Sequence, residues 1–142
     1  MDKETLRKQI QGFIPFNKEE EKDKELILRC LDKEEDVFSR KNPLVHFTAS
    51  SWIINKSRDK VLLCFHNIYN SWSWLGGHCD NEIDCLKVAI KEAKEESGLD
   101  EFRCLTDGIF SMESLCVNSH IKKGENISSH IHINLTYLLE AD

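Results

Sequence analysis

Gly76-Gly77-His78-Cys79-Asp80-Asn81-Glu82-Ile83-Asp84-Cys85-Leu86-Lys87-Val88-Ala89-Ile90-Lys91-Glu92-Ala93-Lys94-Glu95-Glu96-Ser97-Gly98-Leu99 is the most informative stretch of this chain. Its second half predicts an amphipathic helix from about Asp84 to Ser97, stopped by Gly98. With roughly 100° of rotation per residue, Glu92, Glu95 and Glu96 share one narrow face. Leu86, Ala89, Ile90 and Ala93 form the neighbouring stripe, suited to burial against a sheet. Three carboxylates so close repel one another by some tenths of a kcal/mol per exposed pair. A hard divalent cation relieves that repulsion, because Mg²⁺ prefers carboxylate oxygens. The glycine pair ahead of the helix lets backbone approach a ligand closely and can offer it a carbonyl oxygen.

This segment resembles the Nudix box, G-x5-E-x7-R-E-U-x-E-E-x-G-U with U aliphatic, over Gly77–Leu99. Glu92, Glu95 and Glu96 fall on its three glutamates, Ala93 and Leu99 on its aliphatic positions, and Gly98 on its last glycine. The resemblance implies that Glu95 and Glu96 ligate Mg²⁺ or Mn²⁺ together with the Gly76 carbonyl, while Glu92 acts through water or as a base. Trp72-Ser73-Trp74-Leu75 is similar to the family's usual W-x-x-P-G-G lead-in, with Leu75 in place of proline. Two positions depart from the pattern: Ile83 stands where glutamate is expected, and Lys91 where arginine is. Glu82 is one place too early to replace the glutamate without a backbone shift, and Lys91 keeps a charge but not a bidentate fork.

Outward from the box, Leu6, Ile10 and Phe13 stand at helical spacing behind Asp2, a predicted N-cap, with Gly12 as the stop. Asn17 opens a second helix with Glu20 three residues on, close to a capping box. The run Lys18–Lys24 reads as a solvated face, and Leu26, Ile27, Cys30 and Leu31 as the apolar stripe. From His46 the period changes. Residues 47–54 and 60–65 predict a hairpin, 71–79 a strand interrupted at Gly76-Gly77, 103–117 one or two strands and 129–139 another. The expected fold is therefore α+β. The resemblance sharpens it to a Nudix-type α/β/α sandwich with a mixed β-sheet over residues 46–142, preceded by an N-terminal helical extension over residues 1–45. In that family the last strand is generally followed by another strand and a helix. Here the N-terminal helices, a partner subunit or a longer chain would have to supply that layer.

The chain's 142 residues suit one domain able to bury a sizeable core. Its formal charge of −6 argues against a nucleic-acid surface and requires local cations to draw in a polyphosphate. Six scattered cysteines lack metal spacing, the charged start lacks a signal peptide's apolar core, and no apolar run is long enough for a bilayer. Free, buried thiols, a cytoplasmic location and no membrane partner are expected.

Weaker candidates for substrate binding lie around the box. His130 and His132 share one strand face and suit a phosphate or a metal, although satisfied polar residues of a wet sheet face look the same. His78 follows the glycine pair. The resemblance implies an extra base or metal-binding glutamate from outside the box, for which Glu113 and Glu125 are candidates, with surface solvation as the bland reading of each. Trp72 and Trp74 suit stacking on a base, though a strand tryptophan is more often core. The resemblance implies hydrolysis of a phosphoanhydride bond in a small nucleoside-diphosphate-linked (X-linked diphosphate) compound, and a homodimer. The departures at Ile83 and Lys91 motivate a rival, a nucleotide-binding module with little or no turnover. An allylic-diphosphate isomerase shares only the box.

Overall fold

In the computed structural model, which describes residues 1–67 and 69–142, local signals set the helices. Asp2 is extended and accepts the Thr5 N–H, opening α1 (Lys3–Gly12). Asn17 accepts the Glu20 N–H at 2.8 Å, opening α2 (Lys18–Lys33). The Glu20 carboxylate reaches back one residue further than a capping box requires, to the Phe16 N–H, and its other oxygen accepts the Met112 N–H. The charged run of α2 is thus not merely solvated. Lys24 donates to the Gln11 and Phe13 carbonyls, both at 2.7 Å, and so satisfies the open end of α1.

The strands are β1 (Val45–Ile54), β2 (Val61–Leu62), β3 (Cys64–His66), β4 (Ser71–Ser73), β5 (Leu75–His78), β6 (Arg103–Cys104), β7 (Ser111–Val117), β8 (His120–Lys122), β9 (Glu125–Ile127) and β10 (His130–Glu140), with α3 (Cys85–Ser97) between β5 and β6. Six of them form one mixed sheet. At its centre β1 and β10 run parallel from Val45↔Ile131 to Ile54↔Glu140. β2 and β5 share the outer edge of β1, and β6 and β7 that of β10, all antiparallel. The expected hairpin survives only at Ile53–Ile54 with Val61–Leu62, because β3 leaves to pair with β4. The strand expected over residues 71–79 breaks at Trp74, not at the glycines, which lie inside β5.

Side-chain parity divides the sheet into two unlike faces. Phe47, Ala49, Ile53, Leu75, Met112, Ile133, Leu135 and Leu139 point to one face and join Leu6, Ile10, Ile27 and Leu31 of the N-terminal helices and Val88, Ala89 and Ala93 of α3 in a single buried core. Ser114 on that face donates to Asp23 of α2. α1 and α2 therefore sit on the same side as α3 and do not cover the opposite face. The buried stripe of α3 is Cys85, Val88, Ala89 and Ala93, while Leu86 and Ile90 are only half-buried; the apolar arc is turned toward the residues beneath the sheet's centre. Among the described residues no helix is long and apolar enough to cross a membrane.

Candidate active site

The glutamate face of α3 is held against the glycine pair of β5. Asp84 caps the helix by accepting the Lys87 N–H, and Gly98 ends it with φ of +76°. Glu92 lies directly under Gly77: a Cβ at that residue would sit 2.5 Å from the Glu92 carboxyl carbon. Glu96 accepts the Gly76 N–H at 3.2 Å and the Cys64 thiol at 3.3 Å. Glu95 pairs with Lys91 at 3.5 Å. Burial, then repulsion from Glu95 and Glu96, pushes the Glu92 carboxyl above its ordinary range. Negative charge, offset only in part by Lys91, is thus concentrated where backbone approaches most closely.

The two departures from the box acquire physical readings. Ile83 is half-buried against the core, so that position packs instead of carrying charge. Glu82 accepts the Asp84 N–H at 3.1 Å and pairs with Lys87 at 3.5 Å, steadying the loop–helix junction from one place earlier. Just before Glu82, Asp80 and Asn81 are consecutive left-handed residues, with φ of 45° and 77°, which turn the loop toward the helix. A bidentate arginine fork also exists, from outside the box. Arg40 donates Nε and Nη2 to both Asp80 oxygens at 2.9 and 2.8 Å, and its charge reaches Glu92. Sequence reading missed Arg40, which lies 40 residues from its partner in a loop without periodicity.

The Arg40 pair holds the Asp80 carboxyl below its ordinary 3.8. A depressed carboxyl stabilises the fold above that value and loses its contribution as pH falls through the lowered one. Both side chains are about half exposed, so the effect is small. We expect Arg40→Ala to lower Tm by about 1–4 °C at pH 7. That gap should close on acidification past the Asp80 titration. Thermal melts across pH check it, and a gap that stays constant would mean that Arg40 acts only by packing.

The other sheet face is polar. One row crosses four strands as His78↔Thr48↔Asn134↔Glu113. Asn134, almost wholly buried, accepts from Thr48 at 2.9 Å and Ser50 at 2.8 Å and donates to Glu113 at 3.0 Å. One row further along, His46 and His132 are register partners, and His130 stands two residues from His132 on the same strand face. Burial and neighbouring positive groups depress His46, His78 and His132, His78 to about 4 and His132 to about 3. His78, Glu113, His130 and His132 therefore share this face. Glu125 is exposed on β9 opposite Lys122. His46 escaped the sequence reading.

Of the two readings open for Trp72 and Trp74, core burial is overturned: Trp72 is 67% exposed and Trp74 is also exposed, and β3 and β4 pair beyond the main sheet. Phe65 and Trp72 meet edge to face at 5.5 Å on the two strands that bring Cys64 to Glu96. The cysteines are free thiols, but only Cys79 and Cys85 are buried, and Cys116 is exposed.

No family model matches the chain, and no curated sequence is similar to it at a significant level. Among solved structures it is similar to the crystal structure of C. elegans Ap4A hydrolase, at 23% identity over 67% of this chain and 68% of that one, with a TM-score of 0.45. It is also similar to a NUDIX-family hydrolase from Clostridium perfringens, at 26% identity over 68% of this chain and 69% of that one, with a TM-score of 0.42. Both likenesses are partial. This chain's own loop and helix carry the segment that resembles the Nudix box, and its fold is α+β about a mixed sheet.

Proposed function

We propose that this chain is a Nudix-type hydrolase that uses Mg²⁺ or Mn²⁺ to cut a phosphoanhydride bond in a small nucleoside-diphosphate-linked compound. The carrying observation is the glutamate face of α3 packed beneath Gly76-Gly77, with Glu92 forced upward in pKa by its own burial and by the two neighbouring glutamates. The donor set is all oxygen and its three carboxylates outnumber the one lysine paired with them, so Glu92, Glu95, Glu96 and the Gly76 carbonyl fit a hard dication. When bound, such an ion supplies Lewis acidity toward the diphosphate oxygens.

The chain's own groups would do the rest. The oxygen of a water molecule attacks one phosphorus, and the bridging P–O bond breaks. X-phosphate and the other phosphorylated fragment leave, and the water's proton passes to a carboxylate. Glu92, seated beneath Gly77 with its carboxyl held above the ordinary range by burial, is the acceptor this reading assigns to that proton. Lys91, pinned to Glu95, keeps a positive charge beside the cluster. Phe65 and Trp72, exposed and packed edge to face one residue along from Cys64, offer aromatic surface on which a nucleobase could stack.

Ile83, packed half-buried against the core, and Lys91 with a single ion pair favour one rival, a module that holds a nucleotide without cleaving it. Incubation with dinucleotides, nucleoside triphosphates and nucleotide sugars, with and without Mg²⁺, separates the two. One class is expected to yield product only with the ion. Thermal stabilisation by a nucleotide without product, across the panel, would favour the binding module.

A further inference from the structure

We propose that His46, His130 and His132 form a second metal site, built for a first-row transition ion of the zinc class, on the sheet face opposite α3. Their ligand nitrogens all lie within 4.8 Å of one another. The parallel register of β1 with β10 places His46 beside His132, and the two-residue strand repeat places His130 on the same face. The main chain, not a chance rotamer, brings the three rings together.

Two of the imidazoles are already set for ligation. A carbonyl oxygen can only accept, so the Nδ1 of His46 donates to the Asn42 carbonyl at 3.1 Å, and that of His130 to the Ser128 carbonyl at 2.8 Å. Each bond fixes the Nδ1–H tautomer and leaves the Nε2 lone pair pointing away, the outer-shell arrangement usual behind metal-ligating histidines. The Nε2 atoms of His130 and His132 stand 3.1 Å apart. Two nitrogens at 2.0–2.1 Å from one tetrahedral zinc are separated by about 3.3 Å, so this spacing needs almost no adjustment.

The second observation is His46 itself. It is only 5% exposed, and its Nε2 is buried with no hydrogen-bond partner among the described residues. An unpaired buried nitrogen costs about 1–3 kcal/mol, and a core histidine kept only for packing would be expected to satisfy it. An ion shared with His130 and His132 does so. Imidazole donors select zinc, copper or nickel over the oxygen-seeking magnesium, so the ion differs in class from the one fitted to the glutamates. Three imidazoles leave a fourth position for water, for an oxygen of a bound ligand, or for His78, whose ring centre lies 4.9 Å from that of His132.

The test uses the full chain, stripped with chelator and titrated with ZnCl₂ by calorimetry and with CoCl₂ by visible absorption. One ion per chain is expected, with the d–d bands of four-coordinate cobalt and no thiolate charge-transfer band. His130→Gln and His132→Gln should each weaken uptake by about 100-fold or more while the chain stays folded by circular dichroism. These two are preferred to variants of His46, whose burial risks misfolding. The triple variant E92Q/E95Q/E96Q should still take one zinc. Any of three results would overturn the proposal: no uptake by the parent chain, uptake indifferent to both histidine variants, or uptake abolished by the glutamate variant or accompanied by thiolate bands.

Discussion

Glu96→Gln is expected to reduce kcat by about 100-fold or more on whichever substrate the panel identifies, with no loss of thermal stability. The amide keeps the shape of the carboxylate, and its oxygen can still accept the Gly76 N–H. What disappears is one full negative charge from a group of three. In the folded chain that charge helps to raise the pKa of Glu92, which means that ionised Glu92 is held at a cost. The sign follows from linkage: a carboxyl whose pKa is raised on folding destabilises the fold at pH values above its unfolded pKa. Removing a repelling neighbour should therefore leave Tm at neutral pH equal to or slightly above that of the parent. Lost turnover with unchanged or higher Tm is the signature of a group kept for an ion; lost turnover with lower Tm would mark a structural contact. Parent-like turnover in this variant would remove Glu96 from the reaction.

The helices of this molecule were legible because their signals are local. Asp2 and Asn17 cap where sequence rules place them, α3 begins at the cap Asp84 close to its expected start, and Gly98 closes it in the left-handed conformation that a helix stop favours. The glutamate triplet falls on one face because the helical period alone puts it there. The parallel pairing of β1 with β10 was not legible, since its partners are separated by 86 residues and no turn connects them. That pairing is also what makes His46 a neighbour of His132.

A signal for the histidine face was nonetheless present. His46, Thr48 and Ser50 alternate with Phe47, Ala49 and Ser51. His130, His132, Asn134 and Thr136 alternate with apolar residues in the same way. Two strands with polar residues at matching alternate positions, each otherwise built for burial, are complementary. Reading them together predicts their adjacency and one shared polar face. Arg40 offered no such handle: its partner Asp80 is identified only once the left-handed pair Asp80-Asn81 has folded the loop back. The buried stripe of α3 was misjudged for a related reason. Whether Val88 or Ile90 faces inward depends on how the helix is rolled over β1 and β5, and the glutamate contacts with the glycines fix that roll.

The same contacts make the two adjacent glycines respond oppositely to one added methyl group. Neither has a positive φ, so alanine is conformationally acceptable at both, and space alone decides. At Gly76 a Cβ would lie 2.5 Å from the Ser50 hydroxyl, 2.7 Å from the Ala49 carbonyl oxygen and 2.9 Å from the Ser50 Cα. Two of these are backbone atoms of a central strand and cannot yield without parting β5 from β1. Gly76→Ala should cost about 1–3 kcal/mol of stability, visible as a lower urea midpoint. At Gly77 all three obstructing atoms belong to the Glu92 carboxylate, the far end of a flexible side chain. Gly77→Ala should therefore fold almost as well as the parent while turning Glu92 out of place and cutting kcat by about 10- to 100-fold. Because the damage passes through one side chain, the effect should vanish on a background that lacks it: in Glu92→Ala, adding Gly77→Ala should change neither residual turnover nor Mg²⁺ uptake further. Additive losses in that double-mutant cycle would show that the methyl group acts on the loop or the substrate, and that the seat of Glu92 beneath the glycine is incidental to the chemistry.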